Sequence, residues 1–216
     1  IIDTLIKASY AASAGSASNL TKKMIVGIRN LCCVSVREQS LYEVLKKNGI
    51  KSKVVCDPVF LLQSYEWETL KEPLSSRQKS KYLFLYYIDS RRIEAMKIAS
   101  SIRKKYRYKV VYPVPRTKDS IKYGGRCVYD ASPQKFLSLL ANAEIVVASS
   151  FHAVAFSIIF EKQFIVIPHE KTGSRVIDLL VKFDLQDRIV NSYEEYIRHE
   201  KELNTSITVS YTHLTL

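Results

Sequence analysis

The sequence predicts an α/β protein whose strands form parallel sheets in two successive halves. Apolar, β-branched segments alternate with amphipathic helical segments along most of the chain, and a polar, proline-containing stretch at residues 71–81 interrupts this alternation. Strands that alternate with helices pair in parallel through right-handed crossovers, whereas a polar stretch is typical of a linker. The 216 residues exceed a typical single domain, and 47% hydrophobic content is enough to bury a sizeable core.

Three strands and three helices are predicted before the linker. Gly15 lies in the loop after the first strand, and Gly49 closes a helix because glycine readily adopts the conformation that ends one. The predicted strands are 7–13, 32–36 and 52–56, and the predicted helices are 18–30, 38–49 and 64–70. We expect residues 1–72 to be the C-terminal part of a first, incomplete domain whose beginning is missing before Ile1, and residues 73–80 to be the linker.

The second half alternates more regularly, and we expect residues 81–208 to form a second domain. Its strands are predicted at 82–88, 109–114, 126–130, 145–148 and 163–168. Its helices are predicted in the basic segment RRIEAMKIASSIRKKYRYK, from Pro133, from Phe151 and from Ser174. Residues 209–216 continue neither pattern, and we interpret them as a non-native tail similar to translated adaptor sequence.

The segment IVVASSFHAVAFSIIF, residues 145–160, contains a candidate site. Its first four residues suit a central strand buried on both faces, and the apolar positions from Phe151 onward suit a helix. Ser149 or Ser150 is then the N-cap, and His152 lies in the first turn. Such a junction directs free N–H groups and a positive helix end towards the edge of the sheet where α/β proteins bind anions.

Two other strand ends carry groups that could hold an anion. Arg37 and Glu38 follow the strand CCVSV, and His169 and Lys171 follow the strand QFIVIP. Parallel sheets bind ligands at the carboxyl ends of their strands, so these residues are candidates for the same site.

Arg175 is a further candidate. If Ser174 caps its helix, Arg175 lies in the first turn, where the helix dipole disfavours a cation. A bound anion or a nearby carboxylate would offset that repulsion. Alternatively, Arg175 pairs sideways with Asp178 or Glu170 and has no ligand.

The net charge of +12 is concentrated in one block. Residues 71–126 contain 16 lysines and arginines against 4 acidic residues, and the rest of the chain contains 17 of each. This block is either a surface for anionic membrane or a polyanionic acceptor, or a solvated helix face. No zinc-finger, RNP or helix-turn-helix signature accompanies the charge, so we expect no nucleic-acid partner.

Composition also bears on location and metal binding. No apolar run reaches transmembrane length and no secretory leader opens the chain. We therefore expect a cytoplasmic protein, with peripheral contact at the inner face of the membrane as an open alternative. The cysteines Cys32, Cys33, Cys56 and Cys127 have no metal-type spacing, and we expect reduced core thiols, no metal and no cofactor.

The segment VSVREQSLYEVLKKNGIKSKVVCDPVFLLQSYEW and the later EIVVASSFHAVAFSIIFEKQFIVIPHEKTGSRVIDLLVKFDLQDRIV resemble the polysaccharide pyruvyl transferase family. The resemblance implies two Rossmann-like domains with parallel sheets facing a cleft, similar to GT-B glycosyltransferases. It further implies transfer of a pyruvyl group from phosphoenolpyruvate to a sugar hydroxyl as a ketal. Arg37 and His152 would belong to the donor site. Many members carry an arginine where this chain has Ser150, so one expected anion contact is absent.

These residues suggest a division of roles. Arg37 would anchor the donor, Ser149 and Ser150 with their helix end would hold phosphate, and His152 would act as acid and base. Arg175 and His169 are second-line candidates for binding the donor. The expected partners are phosphoenolpyruvate and a sugar or lipid-linked oligosaccharide acceptor.

Two alternatives stay open from sequence. A GT-B-type glycosyltransferase would use similar helix ends for the diphosphate of a sugar nucleotide. A non-catalytic module that binds anionic surfaces would use the basic block alone.

Overall fold

The computed structural model describes residues 6–15, 20–74, 80–87, 92–113, 124–170 and 173–203. Among these residues the chain divides into two compact units, the first ending at Leu61 and the second beginning at Leu62. The expected tail at 209–216 and most of the expected linker at 73–80 lie outside the described residues. No helix in the described part is long and apolar enough to cross a membrane.

The first unit contains a three-stranded parallel sheet in the order β1-β2-β3. Its strands are β1 (Ala8–Ala12), β2 (Cys33–Val36) and β3 (Lys53–Val54), and its helices are α1 (Lys22–Arg29) and α2 (Gln39–Lys47). A short 3-10 helix follows at Pro58–Leu61. Its core is a small cluster of aliphatic side chains from β2, α2 and the turn after α2: Val34, Val36, Leu41, Leu45 and Ile50.

The second unit contains a five-stranded sheet in which every pairing is parallel, in the order β6-β5-β4-β7-β8. The strands are β4 (Tyr82–Tyr86), β5 (Lys109–Tyr112), β6 (Arg126–Cys127), β7 (Ile145–Ala148) and β8 (Gln163–Val166). The chain first runs outward from β4 to β6 and then returns to build β7 and β8 on the other side. The crevice between β4 and β7 is therefore the topological switch point, where such sheets bind ligands.

Helices α3 to α8 accompany this sheet. Their bounds are Ser64–Glu68, Arg92–Tyr106, Pro133–Ala141, Phe151–Ile159, Ser174–Lys182 and Tyr193–Leu203, with a 3-10 turn at Gln186–Arg188. Helix α6 is buried along almost its whole length, from Ala153 to Ile159. Burial on all sides explains why its sequence is apolar throughout instead of amphipathic.

The predicted α/β class with parallel sheets is confirmed, and every predicted strand and helix is present in the described residues. Strand β7 has its predicted bounds, whereas the other strands are shorter because hydrogen-bonded pairing covers only part of each apolar run. The expectation of core thiols was wrong for Cys32 and Cys33, which are exposed where β2 begins. Cys56 is buried, and Cys127, half-buried at the edge strand β6, packs against the core of the second unit.

The structure divides the chain earlier than the expected end of the first domain at residue 72. Helix α3 packs on the second unit, where the Trp67 ring meets Phe156 of α6 edge-on, with centroids 4.9 Å apart. The Lys71 ammonium lies 5.8 Å from the centre of the Phe160 ring, and the Glu72 carbonyl accepts a hydrogen bond of 2.7 Å from Ser138. Apolar and polar contacts thus both hold residues 62–72 to the second unit.

A buried hydroxyl links β4 to helix α5. The Tyr82 hydroxyl donates a hydrogen bond of 2.6 Å to the carbonyl oxygen of Leu139. Leu139 lies in the last turn of α5, where carbonyl groups have no donor within the helix. Burial also raises the pKa of the Tyr82 phenol, which keeps the hydroxyl protonated and able to donate.

We expect Tyr82→Phe to lower the free energy of unfolding by about 1–3 kcal/mol, because it leaves the buried Leu139 carbonyl without a partner. Urea denaturation of the variant and the parent chain measures the change. The control is Tyr65→Phe, which removes a hydroxyl from a side chain that is 69% exposed and should change stability by less than about 0.5 kcal/mol. Equal effects from both substitutions would contradict a role for this hydrogen bond.

Candidate functional site

The turn between β7 and α6 consists of Ser149 and Ser150. Ser149 is buried, and its N–H donates to the carbonyl oxygen of Tyr86 in β4 at 3.1 Å, which continues the ladder between the two strands. Ser150 is the N-cap, as one of the two predicted alternatives, and its carbonyl accepts from the Val154 N–H at 3.1 Å. The Ser150 side chain makes no capping hydrogen bond, so it does not accept from the first-turn N–H groups of α6.

His152 lies in the first turn of α6, as predicted, and its side chain is exposed. The neighbouring Phe151 ring contacts the imidazole edge-on, with centroids 5.5 Å apart. The histidine is therefore accessible to a ligand while its position is set by a buried helix.

A cavity of about 290 Å³ opens at the carboxyl ends of β7 and β8. Two histidines, one arginine and two serines line it, and no acidic residue of the described part of the chain does. Its lining residues are Ser149, Ser150, Phe151, His152, His169, Arg175 and Val176. Five of the six residues predicted for the site thus lie together in the second unit, in a cavity whose size suits a small anionic ligand.

Gly173 brings helix α7 close to the end of β8. It is the N-cap of α7, in place of the expected Ser174, and its N–H donates to the carbonyl oxygen of His169 at 2.8 Å. A methyl group at this position would overlap that carbonyl oxygen and approach the Pro168 ring. The absence of a side chain therefore allows His169 and Arg175 to line the same cavity.

Arg175 occupies the first turn of α7, as predicted. Its Nε is buried and has no hydrogen-bond acceptor among the described residues, and it forms no ion pair there with Asp178 or Glu170. Burial raises the pKa of the Asp178 carboxyl, which the Lys182 ammonium offsets only in part. Of the two alternatives from sequence, the sideways ion pair is therefore absent among the described residues, and the Arg175 Nε is a buried donor without an acceptor there.

Arg37 belongs to the first unit, where it forms a cluster with two buried carboxylates. Its Nε donates to Glu38 at 3.2 Å and its Nη1 donates to Asp57 in a short hydrogen bond. The Arg37 side chain is 18% exposed, whereas those of Glu38 and Asp57 are each 3% exposed. Asp57 also accepts from the Val59 N–H at 3.1 Å, so its carboxylate is fixed on both sides.

Sequence reasoning missed two residues of these sites, Asp57 and Gly173. Asp57 stands at the strand end before Pro58, where polar groups converge, and Glu38 was named beside Arg37 but not as its partner. No local signal in the sequence indicated the role of Gly173. In the part of the chain that the structure describes, no group of three or more His, Cys, Asp or Glu side chains could hold a metal ion.

Solved structures show the same fold. UDP-GlcNAc 2-epimerase from Methanocaldococcus jannaschii, in complex with UDP-GlcNAc and UDP, superposes with a TM-score of 0.56 at 14% identity, over 84% of this chain and 57% of that one. A Listeria monocytogenes protein provisionally named UDP-N-acetylglucosamine 2-epimerase superposes with a TM-score of 0.58 at 11% identity, over 81% of this chain and 51% of that one. This chain thus spans little more than half of each, and the likeness confirms the Rossmann-like, GT-B-like fold class alone.

Comparison by sequence gives a more specific result. No curated protein matches the chain. The family described as polysaccharide pyruvyl transferase matches residues 5–171, which include β1 to β8 and the whole β7–α6 junction. Because the match extends over most of the sequence, the chain belongs to the polysaccharide pyruvyl transferase family.

Proposed function

We propose that the protein transfers a pyruvyl group from phosphoenolpyruvate to a sugar hydroxyl of a cell-surface polysaccharide or its lipid-linked precursor. The observation that carries the proposal is the cavity at the ends of β7 and β8. It combines an exposed histidine, an arginine and the N-terminus of a buried helix. Family membership supports the class of reaction.

The cavity suits the donor because phosphoenolpyruvate carries both a phosphate and a carboxylate. The first-turn N–H groups of α6, with Ser149 and Ser150, would hold one anionic group. The Arg175 guanidinium, from a residue that lines the cavity, would hold the other. We propose that His169, at the cavity wall, contributes a further hydrogen bond to the donor.

The proposed role of His152 is proton transfer. The methylene carbon of phosphoenolpyruvate accepts a proton while a sugar hydroxyl adds to the adjacent carbon, and phosphate leaves from that carbon. A second hydroxyl of the same sugar then adds to close the ketal, and its proton is released. An imidazole can donate the first proton and accept a hydroxyl proton near neutral pH, a contribution typically of about 10²- to 10⁴-fold in rate.

Arg37 is the proposed donor contact from the first unit. Glu38 and Asp57 hold two of its nitrogens, so the plane of the guanidinium is set by the protein. A side chain ordered in advance loses less conformational entropy when it binds a ligand. We propose Asp57 and Glu38 as positioning residues for this arginine.

We expect His152→Asn to lower turnover by a factor on the order of 10² or more while preserving the fold and most of the donor affinity. Ketal formation from phosphoenolpyruvate and a sugar-lipid acceptor measures turnover, and calorimetry measures donor binding. The control is His199→Asn, which alters an exposed imidazole on α8. Unchanged turnover in His152→Asn would refute the acid–base role, and preferential binding of a sugar nucleotide would favour the glycosyltransferase alternative.

We expect Arg175→Met to weaken donor binding by about 10- to 100-fold, since a hydrogen bond to a charged group contributes about 1.5–3 kcal/mol. The free energy of unfolding should stay the same or rise slightly, because the variant removes a buried N–H that has no acceptor among the described residues. Calorimetry with phosphoenolpyruvate and thermal unfolding without it measure the two effects. Arg198→Met, at an exposed position of α8, is the control. Equal donor affinity in both variants would remove Arg175 from the site.

We expect Asp57→Asn to lower the free energy of unfolding by about 1–3 kcal/mol and to raise the donor KM, because Arg37 loses a charged partner. Asp130→Asn, at an exposed carboxylate, should change neither quantity. If stability falls while the donor KM of the folded enzyme is unchanged, the cluster is structural and Arg37 does not contact the donor.

A further inference from the structure

A second cavity, of about 550 Å³, lies between helices α4 and α8. Three lysines, two serines and one tyrosine line it, and no acidic residue whose side chain the structure describes is among them. These residues are Lys97, Ser100, Ser101, Lys104, Lys105 and Tyr193. We call this surface the α4–α8 groove.

The spacing of the lysines explains why they gather in the groove. On α4, residues 97, 100, 101, 104 and 105 recur at intervals of three or four and therefore share one face. The opposite face holds Ile98, Ala99 and Ile102, which are at most 1% exposed. Because the apolar face of α4 is buried in the core, the face with the lysines is directed outward.

Among the described side chains, acidic residues pair with the lysines at the two ends of the groove. Lys97 donates to Glu94 at 2.9 Å, and Lys105 pairs with Glu200 at 3.2 Å. Burial alone would raise the pKa of the Glu94 carboxyl, but hydrogen bonds from Lys97 and from the Tyr193 N–H outweigh it and leave the pKa below its ordinary value. This carboxylate therefore stays charged. Lys104, between the two pairs, forms no ion pair with the described residues. The groove therefore keeps a positive centre.

Exposed apolar side chains flank these lysines. Ile93, one turn before Lys97 on the same face of α4, is 45% exposed. Ile197, one turn after Tyr193 on α8, is 46% exposed. Basic residues combined with protruding apolar ones are the pattern of a surface that lies on an anionic membrane, where the apolar groups enter the interface. A soluble polyanion would bind the lysines but gain little from the isoleucines.

We infer that the α4–α8 groove is a docking surface for anionic phospholipid, with headgroup phosphate at the lysines and with Ile93 and Ile197 at the acyl boundary. The assignment goes beyond the proposed transferase chemistry and does not depend on it. Helix α4 returns the chain from the carboxyl end of β4 to the amino end of β5. Lys104 and Lys105 thus lie at the end of α4 that is remote from the strand ends carrying the cavity with His152.

The test is sedimentation of the full chain with vesicles of phosphatidylcholine alone and with about one third phosphatidylglycerol. We expect binding to the anionic vesicles only. Substituting glutamine at Lys97, Lys104 and Lys105 should weaken it on the order of 100-fold, since each lysine near such a surface contributes about five-fold. The matched control, glutamine at the exposed Lys22, Lys23 and Lys46, removes the same charge from the first unit and should leave binding nearly unchanged.

A second pair of substitutions distinguishes membrane from soluble polyanion. Ile93→Ser with Ile197→Ser should reduce the vesicle binding that survives at high salt, while binding of soluble polyphosphate stays the same. Thermal unfolding of each variant confirms that the fold is intact. The inference is overturned if the lysine variant and its control bind anionic vesicles equally. It is also overturned if the serine variant binds vesicles as tightly as the parent chain and soluble polyphosphate displaces the vesicles completely. Neither result depends on catalytic activity, so failure of the transferase proposal would leave this test informative.

Discussion

The parallel register of β4, β7 and β8 is the constraint on which the second unit depends. Tyr86 pairs with Ala148, and Ala148 pairs with Val166, so the three strands end at one level. The ladder continues one residue further, through the N–H of Ser149. Because helix α6 starts there and is buried nearly throughout, neither its position nor its first turn can shift without disturbing the core. His152 is accessible, yet rigid elements define its location.

The sequence was sufficient to predict the alternation, the parallel sheets and the β7–α6 junction, because each depends on local patterns of apolar residues and caps. It was not sufficient for contacts between distant segments. Asp57 reaches Arg37 only because β2 and β3 are neighbours in the sheet. Trp67 and Phe156 lie 89 positions apart in the sequence, and their contact helps to hold residues 62–72 to the second unit. No local pattern reveals such a contact, so the polar stretch after Leu62 did not predict the division there.

The two arginines of the candidate sites illustrate opposite electrostatic solutions. Arg37 is neutralised by carboxylates of its own unit, so its geometry is set whether or not a ligand is present. Arg175 lies at a helix N-terminus, where the dipole disfavours its charge, and has a buried Nε without an acceptor. The first arrangement satisfies the guanidinium within the protein, whereas the second leaves a buried N–H without an acceptor among the described residues. Residue type alone did not distinguish them.

Trp67 is the only tryptophan of the chain, and its contact with Phe156 gives the protein a built-in optical reporter. Phe156 belongs to the same helix whose first turn carries His152. The indole is half-buried at this contact, so a loss of packing between α3 and α6 changes the polarity around it. Intrinsic fluorescence can therefore follow the unfolding of this contact in the unlabelled chain, without interference from a second indole.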